Sequence, residues 1–500
     1  MRTFKAFSAL ALGAVCILSL AVGCSDGKPS PQVLERSRTT PDWYDDAKLG
    51  IFIHWGPASV PAFAEGEPLR PGELEEMLLH DSGRQQLPYA DWYLYSLRLP
   101  GSATALHHAQ EYGDAPYEAF GPEFEQRVNA AWDPAAWAEL FAATGAKYVV
   151  LVSKHHDGYT LWPSDVPNPN HADWGARRDL VGDLAAAVRE RGMRFGVYYS
   201  TGLDWSFELV TEGDLVRDMI RSAPTGEGYA NYTHAHLREL IDRYLPDVLW
   251  ADIAYPTKGR LDDLLAYYFD AVPDGTVNDR WGALDTFSGV ADIPGSGTVM
   301  KALARWLTAN VDPLADDPAR IGFKTAEYDS LPGIAPFKWE ATRGLGGSFA
   351  FNQRETADDM LSADELVRFV VDTVAKNGNV LINVGPDSHG RIPAIQRAPL
   401  RGLGAWIRVN GEALYGTRPW QRFGNLRGRE LRYTRSPTAL YAIVSGAVGS
   451  AFTIEHPGVE WSEVSVLGAE LSGVEQEGGM LTLSLAAPMT GPAAVVRFVL

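Results

Sequence analysis

The chain alternates between runs that are apolar throughout and stretches in which apolar residues recur every three or four positions. "LGIFIHWG" (Leu49–Gly56), "KYVVLVS" (Lys147–Ser153), "RFGVYYS" (Arg194–Ser200) and "DVLWADI" (Asp247–Ile253) are short and rich in β-branched and aromatic residues. They read as strands buried on both faces. Between them, "AAWAELFAATGA", "RRDLVGDLAAAVRERGM", "YTHAHLRELIDRYLP" and "LDDLLAYYFDAVPDG" carry helical spacing. Asp179 near the start and Gly192 at the end of the second punctuate it as a helix. "TVNDRWG" is a further strand or strand end, and "LVRFVVDTVAKNGNVLINVGP" another helix–strand pair. Phe287–Gly322 has no clear period, apart from a helix expected around Lys301–Ala309.

Strand, short loop and helix in alternation predict a parallel sheet with right-handed crossovers. Successive strands end on polar residues: His54, His155, Tyr199, Asp252 and Arg280. In a closed (β/α)8-type barrel those ends share one rim, where active sites are built. An open doubly wound sheet is the competitor. Its glycine turn, G-x-G-x-x-G after the first strand, is absent. The expected fold class is therefore α/β, with a barrel over residues 41–420. After Trp420 the texture changes to short alternating stretches such as "ALYAIVSG" and "MLTLSLAA", which predict a smaller antiparallel β-sandwich over residues 421–500.

The N-terminus is not part of this pattern. Arg2 and Lys5 precede the apolar run "FSALALGAVCILSLAVG", and Ala21-Val22-Gly23-Cys24 resembles a bacterial lipobox. Residues 1–23 are expected to be a signal peptide, Cys24 a lipidated N-terminus, and residues 24–40 a polar tether. The expected location is an exported lipoprotein, in the periplasm or at the cell surface. With Cys16 removed, one cysteine remains, which leaves no intrachain disulfide and no cysteine metal site. A net charge of -19 argues against a nucleic-acid partner, and fifteen tryptophans suit a sugar cleft as well as a core.

Why would a chain place His155, His156 and Asp157 at a strand's mouth? Neighbours on an extended chain point opposite ways, so the two histidines chelate one ion only if the strand has ended. His54 could be a third ligand, but no H-x-H or H-E-x-x-H spacing accompanies them, and no metal or cofactor is expected. One core and one surface histidine is the bland alternative. Hydrogen bonding to a polyhydroxylated ligand fits neutral imidazole, which offers both a donor and an acceptor. A sugar reading also needs two carboxyl groups. Asp252, ending an apolar strand, is the first candidate, against the ordinary fates of helix cap or arginine partner. The second is Glu327 in "FKTAEYD" or Glu340 in "FKWEATR", and the residues alone leave that choice open.

"KLGIFIHWG", "KHHDGYTLWPS", "YYS", "LWADIAYP", "NDRWG", "KWE", "NGNVLINVGPDSHGRI" and "WIRVNGEALYGTRPW" occur in that order across roughly residues 43–420. Together they resemble the α-L-fucosidases of glycoside hydrolase family 29. The resemblance implies a retaining exo-glycosidase acting on fucosylated oligosaccharides or glycoconjugates. It makes Asp252 the nucleophile. Glu327 becomes the first choice for general acid/base, held protonated by an apolar site, with Glu340 second or orienting. His54, His155, His156, Tyr199, Trp250 and Arg280 would bind the sugar hydroxyls or shape the pocket. Two departures stand out. Asp91-Trp92-Tyr93 replaces the family's "EWY", one methylene shorter, and Phe349-Ala350-Phe351 replaces "WGY". Phe349 or Phe351 could still wall the sugar's methyl group. Two alternatives remain: a non-catalytic glycan-binding surface lipoprotein, and an exo-glycosidase for galactosides.

Overall fold

A computed structural model describes residues 29–66, 87–283, 312–425 and 430–500, with isolated positions 85, 291, 293, 298, 302 and 428. The signal segment, Cys24 and the helix expected around Lys301–Ala309 lie outside the described residues. Among those described, no helix is long and apolar enough to cross a membrane.

Eight parallel strands form one sheet: β1 (Leu49–Ile53), β2 (Tyr148–Lys154), β3 (Arg194–Ser200), β4 (Val248–Asp252), β5 (Thr276–Val277), β6 (Lys324–Glu327), β7 (Trp339–Gly344) and β8 (Gly378–Val384). Their order is β5-β4-β3-β2-β1-β8-β7-β6, and a parallel bridge between Asn278 and Phe323 joins the two ends. This is the expected (β/α)8-type barrel. Helices α1 (Pro134–Thr144), α2 (Leu180–Glu190), α3 (Glu227–Tyr244), α4 (Leu261–Ala271), α5 (Ala363–Ala375) and α6 (Ala394–Asn410) follow the strands in the outer ring.

The period of two along each strand divides the core. Ile51, Ile53, Leu249 and Ala251 join the large cluster under the helices, while Phe52, Val150, Val152, Tyr198 and Trp250 fill the barrel's interior. Deep in that interior lies Glu340, fully buried on β7. Its Oε2 accepts from the hydroxyls of Tyr44 at 2.8 Å and Tyr148 at 2.6 Å, and its Oε1 accepts from the Trp250 indole at 3.0 Å. Gly50 makes room, since a Cβ there would lie 2.5 Å from the Tyr148 ring.

The stretch expected to be a tether is partly structured. Residues Pro31–Arg38 form a helix capped by Ser30, with proline in its first turn. The Ser30 N–H donates to Asp262 on α4, Arg36 pairs with Asp270 and the Phe269 carbonyl, and Arg38 reaches Asp316. Specific partners on the barrel wall hold a segment whose composition alone reads as a linker.

The C-terminal region carries two antiparallel sheets. One is ordered β13 (Glu463–Val466), β16 (Ala493–Val499), β11 (Ala439–Ser445), β10 (Leu431–Arg435), β9 (Arg418–Gly424). The other is β12 (Gly449–Glu455), β15 (Met480–Met489), β14 (Leu471–Glu477). Their facing sides bury Tyr433, Ile454, Leu483 and Phe498 together. The first sheet is bound to the barrel's helices: Arg432 pairs with Asp372 on α5, and the Trp406 indole on α6 donates to the Ala493 carbonyl.

Candidate active site

The C-terminal ends of the strands enclose a cavity walled by Phe52, Tyr89, Trp92 and Phe349. Asp252 ends β4 and Glu327 ends β6, and both side chains enter it. Arg280 bridges them. Its Nη1 donates to Asp252 Oδ1 and its Nη2 to Glu327 Oε2, each at 2.8 Å. Its plane lies over the Trp250 indole, 4.8 Å from the ring centroid. The Tyr198 hydroxyl donates to Asp252 Oδ2 at 2.7 Å, and the Tyr89 hydroxyl to Glu327 Oε1 at 3.1 Å. Burial works to raise the Asp252 pKa. Arg280, His156 and the Tyr198 hydroxyl outweigh it and hold the carboxylate below its ordinary value.

Both acids precede an unusual backbone. Ile253 and Ala254 after Asp252, and Tyr328 after Glu327, have φ of 51°, 77° and 51°. A β-branched residue in the left-handed region costs energy, and such conformations persist where surroundings over-determine them. Here the N–H groups of Thr201 and Gly202 donate to the Asp252 carbonyl, Ala254 donates to the Arg280 carbonyl, and Tyr328 to the Thr342 carbonyl. The buried pair Lys154–Asp204, 2.8 Å apart, ties the loop after β3 to the end of β2.

The histidines are pre-set by their neighbours. Asn383 donates its amide to the Phe349 carbonyl, so its oxygen accepts from His54 Nδ1 at 2.7 Å, leaving His54 Nε2 as an acceptor. Ser200 donates to the Leu203 carbonyl, so His156 Nδ1–H donates to Ser200 Oγ at 2.6 Å, and His156 Nε2 is likewise an acceptor. Burial lowers His54 to about 4 and His156 to about 3. Both are neutral at physiological pH, the form that reads ligand hydroxyls.

Nine of the residues singled out in the sequence line this cavity: His54, Asp91, His155, His156, Trp250, Asp252, Arg280, Glu327 and Phe349. Three do not. Tyr199 points to the helices, where its hydroxyl meets His236 Nδ1 at 3.0 Å on α3, and its neighbour Tyr198 faces the cavity instead. Register explains the swap: Ser200 pairs with Asp252 and Tyr198 with Trp250, so those four side chains share the inner face. Glu340 lies beneath the site, holding Trp250, and Phe351 stands outside the lining. Glu327 sits in an ion pair with Arg280, not in the apolar surroundings expected for it. Sequence reasoning passed over Tyr89, Tyr198 and Met219, of which Tyr198 needed only the strand register.

Asp91 accepts the Ala350 N–H at 3.0 Å, and burial pushes its pKa up to about 7. An unfolded aspartate titrates near 3.9. Between about pH 4 and 7 the folded chain therefore keeps a proton that the unfolded chain has lost, so stability falls as pH rises. Asp91→Asn removes this cost, at most roughly 4 kcal/mol. Thermal melts should show the variant gaining on the parent between pH 4 and 8. A difference independent of pH would refute the assignment.

Two buried carboxyl groups facing across a pocket at a barrel's rim, with neutral imidazoles and aromatic walls around them, define a glycoside hydrolase type of site. Residues 25–412 match the family model described as Alpha-L-fucosidase. The alpha-L-fucosidase of Branchiostoma floridae is 32% identical over 449 residues, covering 87% of this chain and 85% of that protein. The plasma alpha-L-fucosidase of Homo sapiens is 33% identical over 420 residues, covering 81% and 76%. The crystal structure of Thermotoga maritima alpha-fucosidase in complex with fucose superposes with a TM-score of 0.75 at 38% identity, covering 95% of this chain and all of that one. The chain belongs to the α-L-fucosidase family, glycoside hydrolase family 29.

Proposed function

We propose that the protein is an exo-acting retaining α-L-fucosidase that removes terminal α-L-fucosyl residues from glycans by double displacement. The observation that carries the mechanism is the shared guanidinium. One planar Arg280 contacting both acids keeps them close, in keeping with the about 5–5.5 Å separation of retaining enzymes rather than the about 6.5–9.5 Å that leaves room for water in inverting ones. Asp252, kept ionised, attacks the anomeric carbon while Glu327, once it has taken up a proton and left Arg280, gives that proton to the departing oxygen. The covalent fucosyl-enzyme is then opened by water, with Glu327 taking the proton back. The Thermotoga maritima relative has been crystallised with a mechanism-based inhibitor, which suits the same reading. His54 and His156 accept from sugar hydroxyls, and Phe349 walls the apolar edge of the ring.

The test is trapping with a 2-fluoro-fucosyl fluoride followed by peptide mapping. Label on Asp252 is expected, and label elsewhere overturns the assignment. Comparing aryl α-L-fucoside with aryl galactoside decides between fucose and a sugar bearing a 6-hydroxyl. We further propose that the chain is exported and lipidated at Cys24, on the strength of the Ala21–Cys24 tetrad. Mass spectrometry of the membrane fraction should find a diacylated N-terminal cysteine, and an unmodified chain starting elsewhere would sink that reading.

A further inference from the structure

His54, Asp91 and His155 each offer one ligand atom, and the three atoms lie within 4.8 Å of one another. Two imidazoles and a carboxylate are a donor set for zinc and copper. Each is prepared for that use. His54 donates Nδ1–H to Asn383, which fixes the tautomer that leaves Nε2 free, as outer partners of metal-binding histidines do. His155 has a buried Nδ1 with no hydrogen-bond partner, so its tautomer is unpinned and either nitrogen can supply a lone pair. Asp91 spends Oδ1 on the Ala350 N–H and keeps Oδ2, which lies 3.5 Å from His155 Nε2. That distance is close to the edge of a tetrahedron with bonds of about 2.0–2.2 Å. His54 needs to draw in by roughly 1 Å to complete the set.

We propose that His54, Asp91 and His155 form an inhibitory site for a transition-metal dication of the zinc or copper class, taken up in competition with the sugar. The ion has no part in the reaction; it occupies nitrogens and an oxygen that the sugar hydroxyls would otherwise use. The chain has two cysteines, Cys16 and Cys24, and alkylating their thiols separates them from this site.

The test is calorimetry of zinc chloride added to the chelator-stripped, dialysed protein, paired with steady-state kinetics. One zinc site is expected, lost in saturating L-fucose. Zinc should raise KM for an aryl α-L-fucoside and leave kcat unchanged. Copper should bind more tightly than zinc, and magnesium and calcium should have no effect. Asp91→Asn and His155→Gln, each checked for a cooperative melt, should weaken zinc binding about tenfold or more. Iodoacetamide should change nothing. Zinc binding that both substitutions leave intact overturns the proposal, as does zinc binding undiminished by L-fucose that a separate titration shows to be bound. The substitutions decide the metal site even if L-fucose itself fails to bind, a result that would count against the sugar reading instead.

Discussion

Asp252→Ala is expected to lower kcat at least about 10⁴-fold, the scale of removing a nucleophile from a group that acts as a unit. The loss should appear with every leaving group, because no covalent intermediate can form without that carboxylate. Glu327→Ala should behave differently. A general acid contributes about 10²–10⁴-fold, and most of that is needed only when the departing oxygen is basic. A nitrophenyl fucoside, whose leaving group needs little protonation, should therefore lose far less than a fucosyl oligosaccharide. This contrast separates Glu327 from Glu340. Glu340 is fully buried and bonded to Tyr44, Tyr148 and Trp250, so its replacement should cost stability without leaving-group dependence. Equal sensitivity of the Glu327 variant to both substrates would remove it from the acid's role, and wild-type turnover by Asp252→Ala would end the mechanism.

Gly202→Ala is expected to reduce kcat by about 10²-fold or more, although residue 202 does not line the cavity. A Cβ there would lie 1.5 Å from the Ile253 carbonyl oxygen and 2.5 Å from its carbon. The backbone of Ile253 must yield, and it is the first of two consecutive left-handed residues that follow Asp252. The Gly202 N–H also holds the Asp252 carbonyl at 3.1 Å. Any shift is therefore passed directly to the nucleophile, and misplacement by about 1 Å costs on this scale. Overpacking adds about 1–3 kcal/mol of destabilisation. Slower labelling of Asp252 by the fluorinated inactivator, with KM little changed, would identify a positioning effect. An alanine variant with the parent's kcat would show that the turn yields without moving the carboxylate.

The two carboxylates thus depend on backbone held from other strands. Strand β3 and its loop fix the turn after Asp252, and β7 fixes the turn after Glu327 through the Thr342 carbonyl. Strand β3 also carries Tyr198, which bonds Asp252, and Ser200, which holds His156. Perturbations in this rim should move activity well before they unfold the barrel, whose core lies below.

The order of elements, the barrel class, the β-rich C-terminal region and most of the pocket's chemistry were legible from the residues alone. Apolar strands ending in His54, His155, Asp252 and Arg280 announce a polar rim because hydrophobic periodicity is local and survives in one dimension. The docked helix at Pro31–Arg38 was not legible, since its stability comes from partners more than two hundred residues away. Nor was the choice of Tyr198 over Tyr199. Side chains alternate with period two, and only pairing of β3 with β4 says which parity shares a face with Asp252. The roles of Glu327 and Glu340 were separated in the same way. Both stand in similar sequence surroundings, yet one sits at the strand's mouth and the other lies two residues lower in register, level with Thr325 and bonded to Tyr44 and Tyr148. What a strand contains is written in its own residues; how deep each residue lies, and whom it faces, is fixed only when distant strands close into register.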